Sequence, residues 1–126
     1  RFTVEAVRAR YPGRRLWLAH EPLTFHRAAA MLDELAAALA LADEVVIADI
    51  WAGRDPDTTI TSAAELAGRV ATISGREVAA PGSPEATADY LRARVQAGDV
   101  VLAMGGGRSY VIAERLLTLL AADGAE

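Results

Sequence analysis

The chain of 126 residues contains no cysteine and no lysine. Without cysteine it can form neither a disulfide framework nor a thiolate zinc site. Without lysine it has no Schiff-base residue and no P-loop lysine for the phosphates of ATP. No apolar run approaches the roughly 18 to 20 residues that a membrane span needs, and no signal peptide is visible. We therefore expect a cytoplasmic protein that does not enter the membrane.

Positive charge is also scarce, because 13 arginines face 17 acidic residues and leave a net charge of −4. Broad nucleic-acid binding requires a basic face, so nucleic acid is not an expected partner. A length of 126 residues with 52% hydrophobic content predicts one domain with a substantial core. The sequence starts at Arg1 without a methionine and enters a helical pattern at once. This start indicates a fragment of a longer chain.

Helical and strand patterns alternate along the sequence. Apolar periodicity and capping residues predict helices over 2–10, 25–40, 62–71, 83–96 and 109–122. Short apolar runs predict strands over 15–20, 44–50, 77–80 and 99–104. Residues 81–82 are predicted as a turn, and residues 123–126 as a frayed end. The alternation predicts a single α/β domain over residues 1–126, a three-layer, mostly parallel Rossmann-like sheet with helices on both faces.

Polar residues and glycines gather after the predicted strands, where ligands sit in open α/β domains. The groups that follow the four strands are Glu21, Thr24, His26 and Arg27; Asp49, Trp51, Arg54, Asp55 and Asp57; Pro81, Gly82 and Ser83; and Gly105, Gly106, Gly107, Arg108 and Ser109. These positions are the candidates for chemistry.

The three consecutive glycines allow two interpretations. Gly105 and Gly107 match the first two glycines of the dinucleotide motif Gly-x-Gly-x-x-Gly, but Tyr110 stands at the third. The loop either presents a helix N-terminus to a phosphate, or is a strand-to-helix turn that needs positive φ and close backbone approach.

The histidines and Arg27 also have alternatives. His20 and His26 are the only histidines, and no further ligand cluster accompanies them, so we predict no metal site. Arg27 lies in a first helical turn, where a cation is unfavourable against the helix dipole. It either clamps a carboxylate ligand or forms an ion pair with Asp49 or Glu21.

Three motifs in order resemble the carboxyl-terminal domain of the Mur ligases, the amide ligases of peptidoglycan precursors. The first comprises Tyr11–Leu16 before a strand and Glu21-Pro22 with Arg27 after it. The second is Asp49–Arg54, Asp-Ile-Trp-Ala-Gly-Arg, which is similar to the family's Asp-Ile-Tyr-Ala-Ala-Arg. The third is Gly98–Gly107, a Gly-Asp strand that ends in glycines. The resemblance spans nearly the whole chain.

The resemblance implies a three-domain enzyme with a UDP-sugar domain, a central P-loop ATPase domain and this closing domain. ATP with Mg²⁺ would activate the substrate carboxylate as an acyl phosphate, which the amino group of an incoming amino acid attacks. The most similar branch adds L-alanine to UDP-N-acetylmuramate. The fragment alone would hold no cofactor and would be inactive. A ligase that recycles murein tripeptide, and a non-catalytic nucleotide- or phosphate-binding module, are the alternatives.

The resemblance also implies site residues. Arg27 matches the arginine that binds the amino-acid carboxylate, and we predict Thr24 and His26 beside it. The predicted nucleotide or interdomain rim comprises Asp49, Trp51, Arg54, Gly105, Gly106 and Gly107. The chain departs from the family at Leu23 in place of histidine, Glu21 in place of glutamine and His26 in place of serine or threonine. These departures leave the identity of the amino acid open.

Overall fold

A computed structural model describes residues 2–124, with side chains from residue 4 onward. Its elements are α1 (Phe2–Arg10), β1 (Leu16–Glu21), α2 (Phe25–Ala30), α3 (Leu32–Leu39), β2 (Glu44–Ala48), α4 (Ala63–Ser74), β3 (Ala79–Gly82), α5 (Pro84–Arg92), β4 (Val100–Gly105) and α6 (Ser109–Gly124). No helix within the described residues is long and apolar enough to cross a membrane.

The four strands form one sheet in the order β3-β2-β1-β4, and every pairing is parallel. The predicted α/β class and parallel sheet are therefore confirmed. β1 lies between β2 and β4, and all six of its residues are buried. Burial on both faces explains why β1 reads as a continuous apolar run rather than an alternating one.

Two apolar cores cover the two faces of the sheet. Leu18 and Ile47 point to a core shared with α1, α3 and α4. Trp17 and Val46 point to the opposite core, which α5 and α6 complete. The first two crossovers build outward from β1 to β3, and the next returns to place β4 on the other side of β1. The topological switch point therefore lies between the carboxyl ends of β1 and β4, the usual ligand position in such sheets.

The predicted helix over 25–40 is broken at Met31, whose φ of −112° and ψ of 22° separate α2 from α3. No proline or glycine marks this break. The backbone N–H of Met31 still donates to the carbonyl of Arg27, and that of Leu35 donates to Met31. Because the hydrogen bonds continue through the kink, periodicity alone did not reveal it.

Three other local predictions were wrong. Pro81 and Gly82 belong to β3 rather than a turn; β3 is an edge strand, where a proline costs no ladder hydrogen bond. α5 ends at Arg92 instead of continuing to 96, since the Asp99 carboxylate accepts the backbone N–H of Gln96 at 2.9 Å. α6 continues through Asp123, whose carboxylate accepts the Arg92 Nε–H at 2.9 Å. Residues 125–126 of the predicted frayed end lie outside the described residues.

Candidate functional site

The loops after β1 and β2 extend the sheet beyond its named strands. The Trp51 N–H donates to the Pro22 carbonyl, and the Thr24 N–H donates to the Trp51 carbonyl, both at 2.8 Å. A parallel bridge pairs Leu23 with Trp51. These bonds fix the position at which the chain enters α2. They hold Leu23, Thr24 and Trp51 at the edge of the sheet where the carboxyl ends of β1 and β2 lie, and we call this edge the rim.

Thr24 has a φ of 54°, the only positive value at a non-glycine residue in the described chain. A β-branched residue rarely adopts this conformation, which costs on the order of 1–3 kcal/mol. Thr24 Oγ1 caps α2 by accepting the Arg27 N–H at 3.3 Å. The strained turn thus lies where the chain enters α2 at the rim. Backbone strain of this kind is typical of functional loops.

An apolar groove of about 400 Å³ lies between the end of β1 and the α2–α3 pair. Its apolar walls are Leu23, Ala28, Met31, Leu35 and Ala38, and its polar members are His20, Arg27 and Glu34. The Arg27 guanidinium makes no ion pair or side-chain hydrogen bond with any residue from 4 to 124. The predicted alternative, a pair with Asp49 or Glu21, is therefore wrong for the described chain.

His20 forms part of the buried floor of this groove. Its side chain is 6% exposed, and burial lowers its pKa to about 4, although a backbone hydrogen bond with Met104 acts to raise it. The imidazole is therefore neutral at neutral pH. Its Nδ1 is buried without a hydrogen-bond partner in the described chain. A neutral imidazole with one ring N–H donating to Met104 leaves Nδ1 as a buried acceptor with no donor in the described chain.

The glycine loop after β4 holds an anion supplied by the chain itself. Glu21 is 2% exposed, and its Oε1 accepts the backbone N–H of Arg108 at 2.8 Å. Burial raises the pKa of Glu21, while backbone hydrogen bonds from Arg108 and Ser109 lower it. The carboxylate thus sits where a phosphate would contact the start of α6.

Close packing explains all three glycines. Gly105 has a φ of 128°, and a Cβ there would lie 2.0 Å from the Glu21 carbonyl oxygen. A Cβ at Gly107 would lie 2.5 Å from the Trp51 ring, and one at Gly106 would lie 2.8 Å from the Trp51 Cβ. The close-approach interpretation is therefore confirmed. A nucleotide phosphate at this loop would meet the Glu21 carboxylate, so the loop does not fit one in this structure.

His26 is paired with the loop that follows β2. Its Nδ1 lies 2.5 Å from Asp55 Oδ1, and its backbone N–H donates to Asp55 Oδ2 at 2.7 Å. The Asp55 carboxylate is 2% exposed, whereas the imidazole is 62% exposed. Burial acts to raise the pKa of Asp55, but hydrogen bonds from His26 and Asp57 outweigh it and lower the pKa. Asp55 is therefore ionised, and its two oxygens bind the backbone N–H and the ring Nδ1 of His26.

The predicted site residues thus divide into separate groups. Arg27 lines the groove, Thr24 shapes its entry, and His26 faces the loop after β2. Trp51 packs on the glycines, while Asp49 and Arg54 are exposed and make no side-chain hydrogen bond among the described residues.

His20 and His26 fall on different features, and no three metal-ligating side chains converge among residues 4–124. Glu21 and Asp55 were among the candidates after the strands, but sequence reasoning missed their contacts with the glycine loop and with His26. Both contacts join residues far apart in sequence, and no local pattern signals them.

Comparison with known proteins agrees with this architecture. The family model described as "Mur ligase, glutamate ligase domain" matches residues 1–107. The UDP-N-acetylmuramate–L-alanine ligase of Alkaliphilus metalliredigens is 36% identical over 117 residues, which cover 93% of this chain and 25% of that protein. The ligase of the same name from Frankia casuarinae is 35% identical over 125 residues, which cover 95% of this chain and 25% of that protein.

A solved structure shares the fold. The murein peptide ligase of Psychrobacter arcticus superposes with a TM-score of 0.69 at 23% identity, over 94% of this chain and 24% of that one. The chain thus spans about a quarter of the length of these relatives. Since the family model covers most of the sequence, the chain belongs to the Mur ligase family and corresponds to its carboxyl-terminal domain.

Proposed function

We propose that this chain is the amino-acid-binding and closing domain of an ATP-dependent carboxylate–amine ligase of peptidoglycan precursor synthesis. The relatives' names support the addition of L-alanine to UDP-N-acetylmuramate. In this proposal the reaction passes through an acyl phosphate. ATP and Mg²⁺ would be held by the rest of the protein, in the domains that the longer relatives contain. The UDP-sugar and the amino acid would be its substrates.

The observation that carries this proposal is the unpaired Arg27 at the mouth of the groove. A guanidinium gains most from a planar carboxylate, which it binds bidentately. The strained turn at Thr24 aims Arg27 at the rim, and Leu23 and Met31 offer an apolar surface beside it. An amino acid fits this chemistry, with its carboxylate on Arg27 and its side chain on the groove wall.

The test is amine-dependent release of phosphate by the full-length protein with ATP, UDP-N-acetylmuramate and L-alanine. Arg27→Gln should raise the KM for the amino acid by about 10- to 100-fold, the loss of a charge-assisted pair worth roughly 1.5–3 kcal/mol. Arg14→Gln is the matched control, since it removes an exposed arginine that precedes β1, at the opposite edge of the sheet from the groove. Equal KM values for the two variants would exclude Arg27 as the carboxylate ligand.

A murein peptide ligase is the second candidate, because the groove extends along α3 as far as Ala38 and offers more space than a methyl group requires. Ala38→Trp should block a peptide amine more than L-alanine, whereas the exposed neighbour Ala37→Trp should affect neither. A phosphate-binding module is less well supported, since Glu21 occupies the glycine loop.

A further inference from the structure

The contact between His26 and Asp55 has the geometry of a base held by an orienting carboxylate. One Asp55 oxygen lies 2.5 Å from Nδ1, and the other accepts the His26 backbone N–H at 2.7 Å. Asp55 Oδ1 also accepts the Asp57 N–H at 3.2 Å, which fixes the carboxylate within its own loop. The ring is therefore oriented by a buried group that cannot itself turn away.

This arrangement determines which ring nitrogen is free. An ionised carboxylate only accepts hydrogen bonds, so Nδ1 must carry the proton that it shares with Asp55. Nε2 then bears the lone pair, and the imidazole that carries it is 62% exposed at the rim. The same logic, a base whose tautomer is fixed by a third group, recurs in nucleophile–base–carboxylate sites.

The pair lies next in sequence to Arg27, the proposed carboxylate ligand, although His26 itself does not line the groove. His26 and Arg27 are consecutive residues in the first turn of α2, and Thr24 shapes the entry to both. The loop after β2 contributes Asp55 and Asp57 as the carboxylates that act on His26. On its own helix the neighbouring charge is Arg27.

We infer that His26 Nε2 accepts the proton of the attacking amine during ligation, and that Asp55 is its positioning residue. This inference rests on the proposed function. The amine nitrogen forms a bond to the carbonyl carbon of the acyl phosphate, and the carbon–oxygen bond to phosphate breaks with its electron pair. The ammonium of the amino acid first gives one proton to Nε2, which later releases it to water, and the departing phosphate takes up the second proton, which nitrogen loses after the attack. Asp55 stabilises the imidazolium that forms in between.

A purely structural role for the pair makes a different prediction. Asp55 also accepts a backbone N–H of α2, so it ties the loop to the helix whether or not His26 takes up protons. A structural clamp would alter stability and substrate affinity. A proton acceptor alters kcat and its pH dependence, while the activation of the carboxylate stays intact.

The test uses the full-length protein with ATP, UDP-N-acetylmuramate and L-alanine, and compares His26→Gln, Asp55→Asn and Asp89→Asn. His26→Gln should lower kcat at neutral pH by about 10²- to 10⁴-fold with little change in the KM for the amine. The deficit should shrink as the pH rises, because more of the amine is then unprotonated in solution. Asp55→Asn should lower kcat and shift the pH profile, because an amide N–H facing Nδ1 favours the wrong tautomer. Asp89→Asn, a matched loss of an exposed carboxylate on α5 that pairs with Arg115, should keep the natural profile.

Hydroxylamine separates this inference from the proposed function. It is largely unprotonated at neutral pH, so it should trap the acyl phosphate as a hydroxamate equally well in the natural protein and in His26→Gln. Absence of hydroxamate with the natural protein would overturn the proposed function itself. Hydroxamate formation together with undiminished L-alanine transfer by His26→Gln would overturn the role of His26 alone. Loss of both reactions in that variant would show a structural clamp, and this result also overturns the inference.

Discussion

Replacement of Gly105 by alanine should be among the most destabilising single substitutions in this domain. The new Cβ would lie 2.0 Å from the carbonyl oxygen of Glu21, and 2.8 Å from its carbonyl carbon. Both atoms belong to the backbone of β1, where Glu21 pairs with Gly105 across the sheet, so neither can rotate away. A φ of 128° adds a cost of its own, because only glycine adopts it readily.

The magnitude follows from these two terms. The backbone conformation costs on the order of 1–3 kcal/mol for a residue with a side chain, and overpacking against rigid neighbours typically adds about 1–3 kcal/mol. We expect a loss of about 2–6 kcal/mol for Gly105→Ala, a large fraction of the stability of a typical domain. Gly107→Ala should cost less, since its nearest obstacle is the Trp51 ring, a partly exposed side chain that can shift.

Gly68→Ala is the matched control. Gly68 lies within α4, and a Cβ there would meet no atom within 4 Å. Alanine should therefore stabilise α4 by about 0.5–1 kcal/mol. Hydrogen exchange of the β4 and α4 amides in the full-length protein measures both changes locally. If Gly105→Ala lost less than Gly107→Ala, the packing argument for the loop would be refuted.

Three further predictions concern buried polar groups. Burial raises the pKa of Glu21 above its pKa in the unfolded chain, so the ionisation of Glu21 lowers the stability of the fold as the pH rises past that unfolded pKa. In urea unfolding, Glu21→Gln should therefore gain stability relative to the natural chain between acid and neutral pH. The pKa of His20 is lowered to about 4 from 6.5, so stability should fall by up to about 3 kcal/mol as the pH drops through that range, and His20→Phe should abolish this loss in the same assay. Asp99 accepts from Arg15 at 2.7 Å and from the Trp17 indole at 3.0 Å, so Asp99→Ala should cost about 2–4 kcal/mol in thermal or urea unfolding, while retention of full stability would show that water replaces it.

The fold was predictable because its signals are local. Alternating periods gave the element order, and Ser62 and Ser83 were recognisable as caps from their own neighbours; both side chains accept the expected backbone N–H. Ser62 and Glu65 have the spacing of a capping box. Only the Ser62 half forms, since the Glu65 carboxylate accepts from the Thr61 hydroxyl at 2.8 Å instead. Which of several nearby donors a carboxylate accepts from depends on the folded structure, and the residue pattern does not predict it.

The candidate site was predictable only at its centre. Arg27 could be singled out because a cation at a helix start opposes the dipole, a conflict visible in sequence. The groove beside it depends on the kink at Met31 and on the burial of His20, which arise from tertiary packing. Asp55 lies 29 positions from His26, and Glu21 lies 87 positions from Arg108. Contacts of that separation are set by the sheet order.

The Glu21 carboxylate also competes with free anions for the backbone N–H groups at the start of α6. A group attached to the chain faces its binding partner at an effective concentration that for short tethers reaches the millimolar range or more. Any free anion that approached the start of α6 would therefore have to displace a competitor that never diffuses away. Exchange of one carboxylate oxygen for an amide NH₂ would remove the competing charge without changing the shape of the loop. The charge at this one position on β1 thus keeps free anions away from the loop after β4.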